Sequence, residues 1–179
     1  MSLDKVKENL GDFAKDTKLN LSSLFVQEHY HEMSKQQVWG SVLAGAYFLG
    51  DKAFVAALLA DNKKESILDK SYLEATKTAA SLMAMTNVYY RFLHLVEDGD
   101  FAKMPAGLRM NAMKNHGINE IDFEIFCLVI SAVNGCGLCI KSHVKSVLAK
   151  GASKKLVQGS IKIASVVHAT FVSSRISSM

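Results

Sequence analysis

A single proline, Pro105, stands in 179 residues whose apolar side chains recur three and four positions apart over long windows. Proline is the residue a helix interior tolerates least, and the three-and-four spacing is one face of a 3.6-residue helix, whereas the period-two alternation of a strand is scarce here. The chain is therefore constrained to an all-α fold, a compact multi-helix bundle. At this length one domain, 1–179, is enough to bury a hydrophobic core.

Leu3, Val6, Leu10 and Phe13 mark a first amphipathic helix, and Leu21 to His31 a second, entered through Asn20 as N-cap. A third is predicted from Ser34 to Leu49, stopping at Gly50-Asp51, and a fourth from Ala53 to Ala60. Ser66 to Val96 is helical in its residue choice, and Asp98 to Pro105 reads as a loop. Arg109 to His116 reads as a short helix closed by Gly117. Ile121 to Val133 is an apolar helix ending at Asn134-Gly135, followed at once by Cys136 to Lys150, closed by Gly151. Ser153 caps a last helix through Val172, with a frayed tail beyond it.

The two halves, about 1–97 and 106–179, carry a worn resemblance to each other. Setting Gln37 against Glu124 places Trp39 over Phe126 and Gly50 over Gly137, the pattern of two related helical units. Only the second unit then carries reactive side chains.

Lys and Arg number 21 against 17 Asp and Glu, a formal net charge of +4, and they are scattered along the chain. No basic block points to nucleic acid. The N-terminus lacks the apolar stretch of a signal peptide, and charges interrupt the apolar runs before they reach a membrane span, so the expectation is a cytoplasmic protein with no membrane partner. Three cysteines, two of them close together, fit a reducing compartment better than a secreted disulfide framework.

The informative stretch runs from Phe123 to His143 and contains E-x11-C-x2-C-x3-H: Glu124, Cys136, Cys139 and His143. At about 100° per residue, Cys136, Cys139 and His143 fall within an arc of about 60° on one helix face. A reversal at Asn134-Gly135 returns Glu124, on the preceding helix, to the same face. Thiols in the first turn of a helix meet unsatisfied N–H groups and the positive dipole end, which favour the thiolate. His143 stands where an imidazole accepts a thiol proton, Glu124 where a carboxylate orients that imidazole, and the second thiol captures a sulfenic acid before it is over-oxidised.

The same residue types allow a rival reading, in which Cys136, Cys139 and His143 hold zinc with Glu124 or water as fourth ligand. A closed zinc site usually draws its ligands from two separated pairs, and this bundle needs no metal to fold. The residues thus favour a dithiol enzyme with no bound metal. Cys127, one turn after Glu124 in an apolar run, reads as a buried inert thiol, and His168 as a packed histidine. Tyr89, Tyr90 and Arg91 read as packing and helix-surface residues before a substrate entrance, and His29-Tyr30-His31 has no partner motif.

Together with Gly107 to Ile118, Met85 to Arg91, Lys15 to Leu21 and Gln36 to Gly40, the motif resembles the alkylhydroperoxidase D family of the carboxymuconolactone decarboxylase superfamily over nearly the whole chain. The resemblance implies a homotrimer of all-helical subunits, each built from a duplicated unit, that reduces organic hydroperoxides. It implies Cys139 as the peroxidatic thiol, Cys136 as the resolving thiol exposed to the reductant, and His143 with Glu124 as the proton relay. It implies no bound cofactor: electrons come from dihydrolipoamide on a lipoyl-bearing protein, recharged by lipoamide dehydrogenase, with a peroxiredoxin as a further partner. The chain departs from the family where a histidine often stands inside the C-x-x-C, for it has Gly137-Leu138. That departure keeps open a protein disulfide reductase with weak peroxidase activity, and the wider superfamily keeps open a carboxymuconolactone decarboxylase-like enzyme.

Overall fold

The computed structural model describes residues 2–26 and 32–179, and every regular element among them is helical. These are α1 (Leu3–Asn9), α2 (Lys15–Ser23), α3 (Lys35–Leu49), α4 (Lys52–Glu65), α5 (Lys70–Val96), α6 (Gly99–Lys103), α7 (Glu120–Val133), α8 (Gly137–Ala149) and α9 (Lys154–Ser177). Their starts are set locally by side chains that accept a free N–H of the first turn: Ser2, Ser34, Asp51, Asp69, Asp98, Asn119, Cys136 and Ser153. Each such cap contributes about 1 kcal/mol to its helix. Ser34 and Gln37 complete a reciprocal capping box at the start of α3.

Helices α3 and α7 form the centre, each packed against α5 and α9 and against the other. That position explains their sequences. Every residue from Val38 to Ala46 is buried, as is every one from Asp122 to Ser131 except the half-buried Glu124, so both helices are apolar nearly all round. The two axes approach closely because Gly40 has no side chain: a Cβ there would lie 2.2 Å from Phe126 Cζ. Gly40→Ala is expected to cost about 1–3 kcal/mol in urea unfolding, because the Phe126 ring must shift within a dense core. A buried polar link ties the same helices to α5, with Tyr72 donating to Asp122 Oδ2 at 2.6 Å and Gln37 to Asp122 Oδ1 at 2.7 Å.

Several element boundaries differ from the sequence reading, each for a local reason. The first helix ends at Asn9, and Phe13 lies beyond it in a 3-10 turn, Asp12–Ala14, with its ring exposed. Asn20 is not a cap but sits inside α2, its side chain donating to the Asp16 carbonyl. The end expected at His31, and His29-Tyr30-His31, lie outside the described residues. Helix α4 runs past Ala60 to Glu65. Helix α5 starts at Lys70 instead of Ser66, because the Asn62 side chain exchanges two hydrogen bonds with Leu68 and holds the turn before it. The loop expected at Asp98 to Pro105 contains α6. The helix expected from Arg109 to His116 is one 3-10 turn, Asn111–Met113, whose neighbours turn toward a cavity. The tail expected to fray beyond Val172 is helical to Ser177, where Ser177 Oγ accepts the Gly11 N–H and docks it on the N-terminal segment.

Among the described residues one helix, α9, is long and apolar enough to cross a membrane by length and composition, contrary to the expectation that charges break every such run. Of its apolar side chains, Leu156, Ile163, Ala164 and Val167 are buried against the rest of the bundle, while Val172 and Ile176 are exposed.

Candidate active site

Helix α7 ends at Asn134, and Gly135 reverses the chain in the left-handed conformation, φ +69°, that glycine adopts without a Cβ penalty. Cys136 N–H donates back to the Ser131 carbonyl at 3.1 Å, and α8 begins at the next residue. Arg91 of α5 clamps the reversal, donating to the Asn134 carbonyl at 2.8 Å. The turn therefore sets α8 antiparallel to α7 and lays the C-x-x-C along its first turn.

Cys136 and Cys139 are joined by a disulfide, with Cα atoms 5.3 Å apart. Cys136 is the N-cap of α8, and its sulfur accepts the Cys139 N–H at 3.3 Å. One turn on, His143 is buried, and its Nδ1 meets Glu124 Oε2 at 2.6 Å. Ser146 donates to the other oxygen, Oε1, at 2.9 Å. All four residues singled out from the sequence are thus brought together by one helical hairpin.

Burial raises the Glu124 carboxyl, but hydrogen bonds from His143 and Ser146 and the nearby charges of His143 and Lys150 outweigh it and hold the group below the ordinary carboxylate range. An ionised carboxylate only accepts, so Nδ1 of His143 carries a proton, and in the neutral imidazole Nε2 presents its lone pair as a base. Cys127, fully buried, is pushed well above the usual thiol value, first by burial and then by the charge of Glu124. It is a protonated, unreactive thiol at neutral pH, as expected of an inert core cysteine.

The site opens on a cavity of about 720 Å³ with three walls. Helix α5 supplies Met83, Thr86, Asn87 and Tyr90, the segment before α7 supplies Met110, Asn111, Met113 and Lys114, and α8 supplies Leu138, Cys139, Ser142 and His143. A mostly apolar concavity of this size suits a small organic molecule. Cys139 faces it and Cys136 does not. The expectation that Cys136 is the thiol exposed to the reductant is therefore corrected: as an N-cap its side chain folds back over the helix start, and the residue is 0% exposed.

Sequence reasoning missed Ser146, although it lies three residues after His143 on the same helical face, and Asn87, which sits inside the Met85 to Arg91 segment. Tyr90, expected as a packing and helix-surface residue, lines the cavity, with Tyr89 edge-on to it at 5.4 Å. His168 is exposed on α9, not packed, and does not line the cavity. Among the described residues no three His, Cys, Asp or Glu side chains are grouped as a metal site requires.

Residues 99–171, the segment holding the hairpin, match the carboxymuconolactone decarboxylase family. A protein of Coxiella burnetii named alkyl hydroperoxide reductase AhpD is 45% identical over 166 residues, 93% of this chain and 93% of its own. Proteins of the same name from Acidobacterium capsulatum and Maricaulis maris are 45% and 43% identical, covering 94% of this chain and 90% and 95% of their own lengths. With this similarity covering more than nine-tenths of the chain as well as its redox hairpin, the chain belongs to the AhpD family of the carboxymuconolactone decarboxylase superfamily.

Proposed function

We propose that this protein is a cytoplasmic thiol peroxidase that reduces organic hydroperoxides through a dithiol–disulfide cycle of Cys139 and Cys136. The observation that carries the reading is the joining of the two sulfurs at a helix start, with the Glu124–His143 pair one turn away and Cys139 facing an apolar cavity. His143 Nε2 takes the Cys139 proton. The thiolate attacks the outer oxygen of the hydroperoxide, the O–O bond breaks, and the alkoxide leaves with the proton that His143 returns. Cys136 then attacks the sulfenic acid at Cys139 and expels water, forming the disulfide.

An external dithiol of the dihydrolipoamide type closes the cycle, carried on a lipoyl protein served by lipoamide dehydrogenase. It reaches the disulfide from the cavity at Cys139, the cysteine of the pair that lines it, and expels Cys136 as a thiolate whose charge the α8 N-terminus stabilises, a favourable leaving group. The test is consumption of cumene hydroperoxide with dihydrolipoamide as sole reductant, before and after iodoacetamide treatment of the reduced protein. Turnover that alkylation abolishes is expected. A decarboxylase would keep its activity after alkylation, and a disulfide reductase would turn over protein disulfides but not the hydroperoxide.

We also propose self-association as a homotrimer through α5. Met85, Val88, Phe92 and Leu95 recur at helical spacing on one exposed face, and Phe92 meets Phe101 of α6 at 5.3 Å between ring centres. An apolar stripe of this length left in water marks an interface. Sedimentation reads the outcome, with three copies of the 19.6 kDa chain expected and a monomer contradicting it.

A further inference from the structure

Asn87 is fully buried on α5, lines the cavity beside Cys139 and His143, and has an amide nitrogen with no hydrogen-bond partner among the described residues. Its other end meets Ser131 Oγ on α7, which donates to Asn87 Oδ1 at 3.1 Å and shares that one proton with Met83 Sδ at 3.6 Å. A buried donor left unsatisfied costs about 1–3 kcal/mol, and such groups persist where something else repays them. The hydroxyl of Thr86, the adjacent cavity residue, is already bonded to the Leu82 carbonyl, and Lys114 is exposed to water. Asn87 is therefore a fully buried, unpartnered donor at the cavity wall.

We propose that the Asn87 side-chain amide binds the substrate hydroperoxide and stabilises its leaving group, donating from Nδ2 to the oxygen that departs as alkoxide while Ser131 positions the amide. The inference rests on the thiol-peroxidase reading. When the Cys139 thiolate attacks the outer oxygen, the S–O bond forms as the O–O bond breaks. Sulfur is oxidised by two electrons, and the negative charge moves to the alkyl-bearing oxygen before His143 protonates it. A fixed donor aimed at the place where charge develops strengthens at that moment and needs no reorganisation. In a mostly apolar cavity that hydrogen bond is stronger than its counterpart in water.

The test compares reduced wild type with Asn87→Met, whose sulfur leaves Ser131 a weak acceptor but offers no donor, and Asn87→Leu, which loses both. Oxidation of Cys139 by tert-butyl hydroperoxide is expected to slow about 10- to 100-fold in both variants. The loss should shrink to a few-fold with a peroxycarboxylic acid, whose carboxylate leaves unaided, and alkylation by iodoacetamide should be unchanged because no alkoxide forms. A merely structural role would slow all three reactions together, and that result, or a wild-type hydroperoxide rate in either variant, overturns the proposal. Should neither variant fold by circular dichroism, Ser131→Ala serves in their place. It keeps the donor but frees its aim, so a smaller loss with the same leaving-group pattern is expected, and a wild-type rate overturns the proposal. Failure of the peroxidase reading itself is separate: Cys139→Ser would then leave hydroperoxide consumption intact.

Discussion

Cys139→Ser is expected to lower hydroperoxide turnover by at least about 1000-fold, because the thiolate is the nucleophile and serine at neutral pH offers almost no alkoxide in its place. Cys136→Ser has a different signature. Its Cys139 is still oxidised, but nothing condenses with the sulfenic acid, so with no reductant present the protein gains one oxygen and, under excess hydroperoxide, passes to the sulfinic acid. Cys127 cannot substitute for either, since burial and the Glu124 carboxylate hold it protonated. Intact-mass spectra of both variants after hydroperoxide treatment, alongside steady-state rates, check the pair. Equal turnover in wild type and Cys139→Ser would remove the assignment.

Loss of the relay is expected to cost about 100-fold or more. His143→Gln removes the base whose Nε2 accepts the Cys139 proton, and Glu124→Gln removes the charge that fixes the proton on Nδ1. Both should be read as the rate of Cys139 oxidation at neutral pH. Glu124 also leaves a mark on stability. Its carboxyl is held below the ordinary range in the folded chain, so it contributes stability above the unfolded-state value and loses it as pH falls through the lowered folded-state value. The acid side of the stability profile should therefore be flatter in Glu124→Gln than in wild type. An unchanged slope would mean that the carboxylate gains nothing from His143 and Ser146.

The all-helical class was legible in the sequence because it depends on a period that runs through every long segment. The site was legible for a similar reason. Glu124, Cys136, Cys139 and His143 lie on two consecutive helices joined by Asn134-Gly135, so local geometry alone predicts their approach. What was hidden depends on contacts far along the chain. Asn62 holding Leu68 moves the start of α5, Gly11 meeting Ser177 docks the end of the last helix, and Met110 and Met113 line the cavity from a single 3-10 turn and its flank where an α-helix was expected. Asn87 reads as an ordinary residue of a helical segment until α5 is laid against α7 and its amide is left buried at the cavity wall with no partner among the described residues. The inward turn of Cys136 likewise follows from its cap position, which spacing does not specify to the residue.

The disulfide itself is the most direct point of test. Reduced wild-type protein treated with one equivalent of an organic hydroperoxide, without other thiols, is measured by intact mass and peptide mapping. A loss of about two hydrogens is expected, located in the peptide that holds Cys136 and Cys139, with Cys127 still free. Consumption of the hydroperoxide with no change in mass, or oxygen added to Cys127 while Cys136 and Cys139 stay reduced, would contradict it.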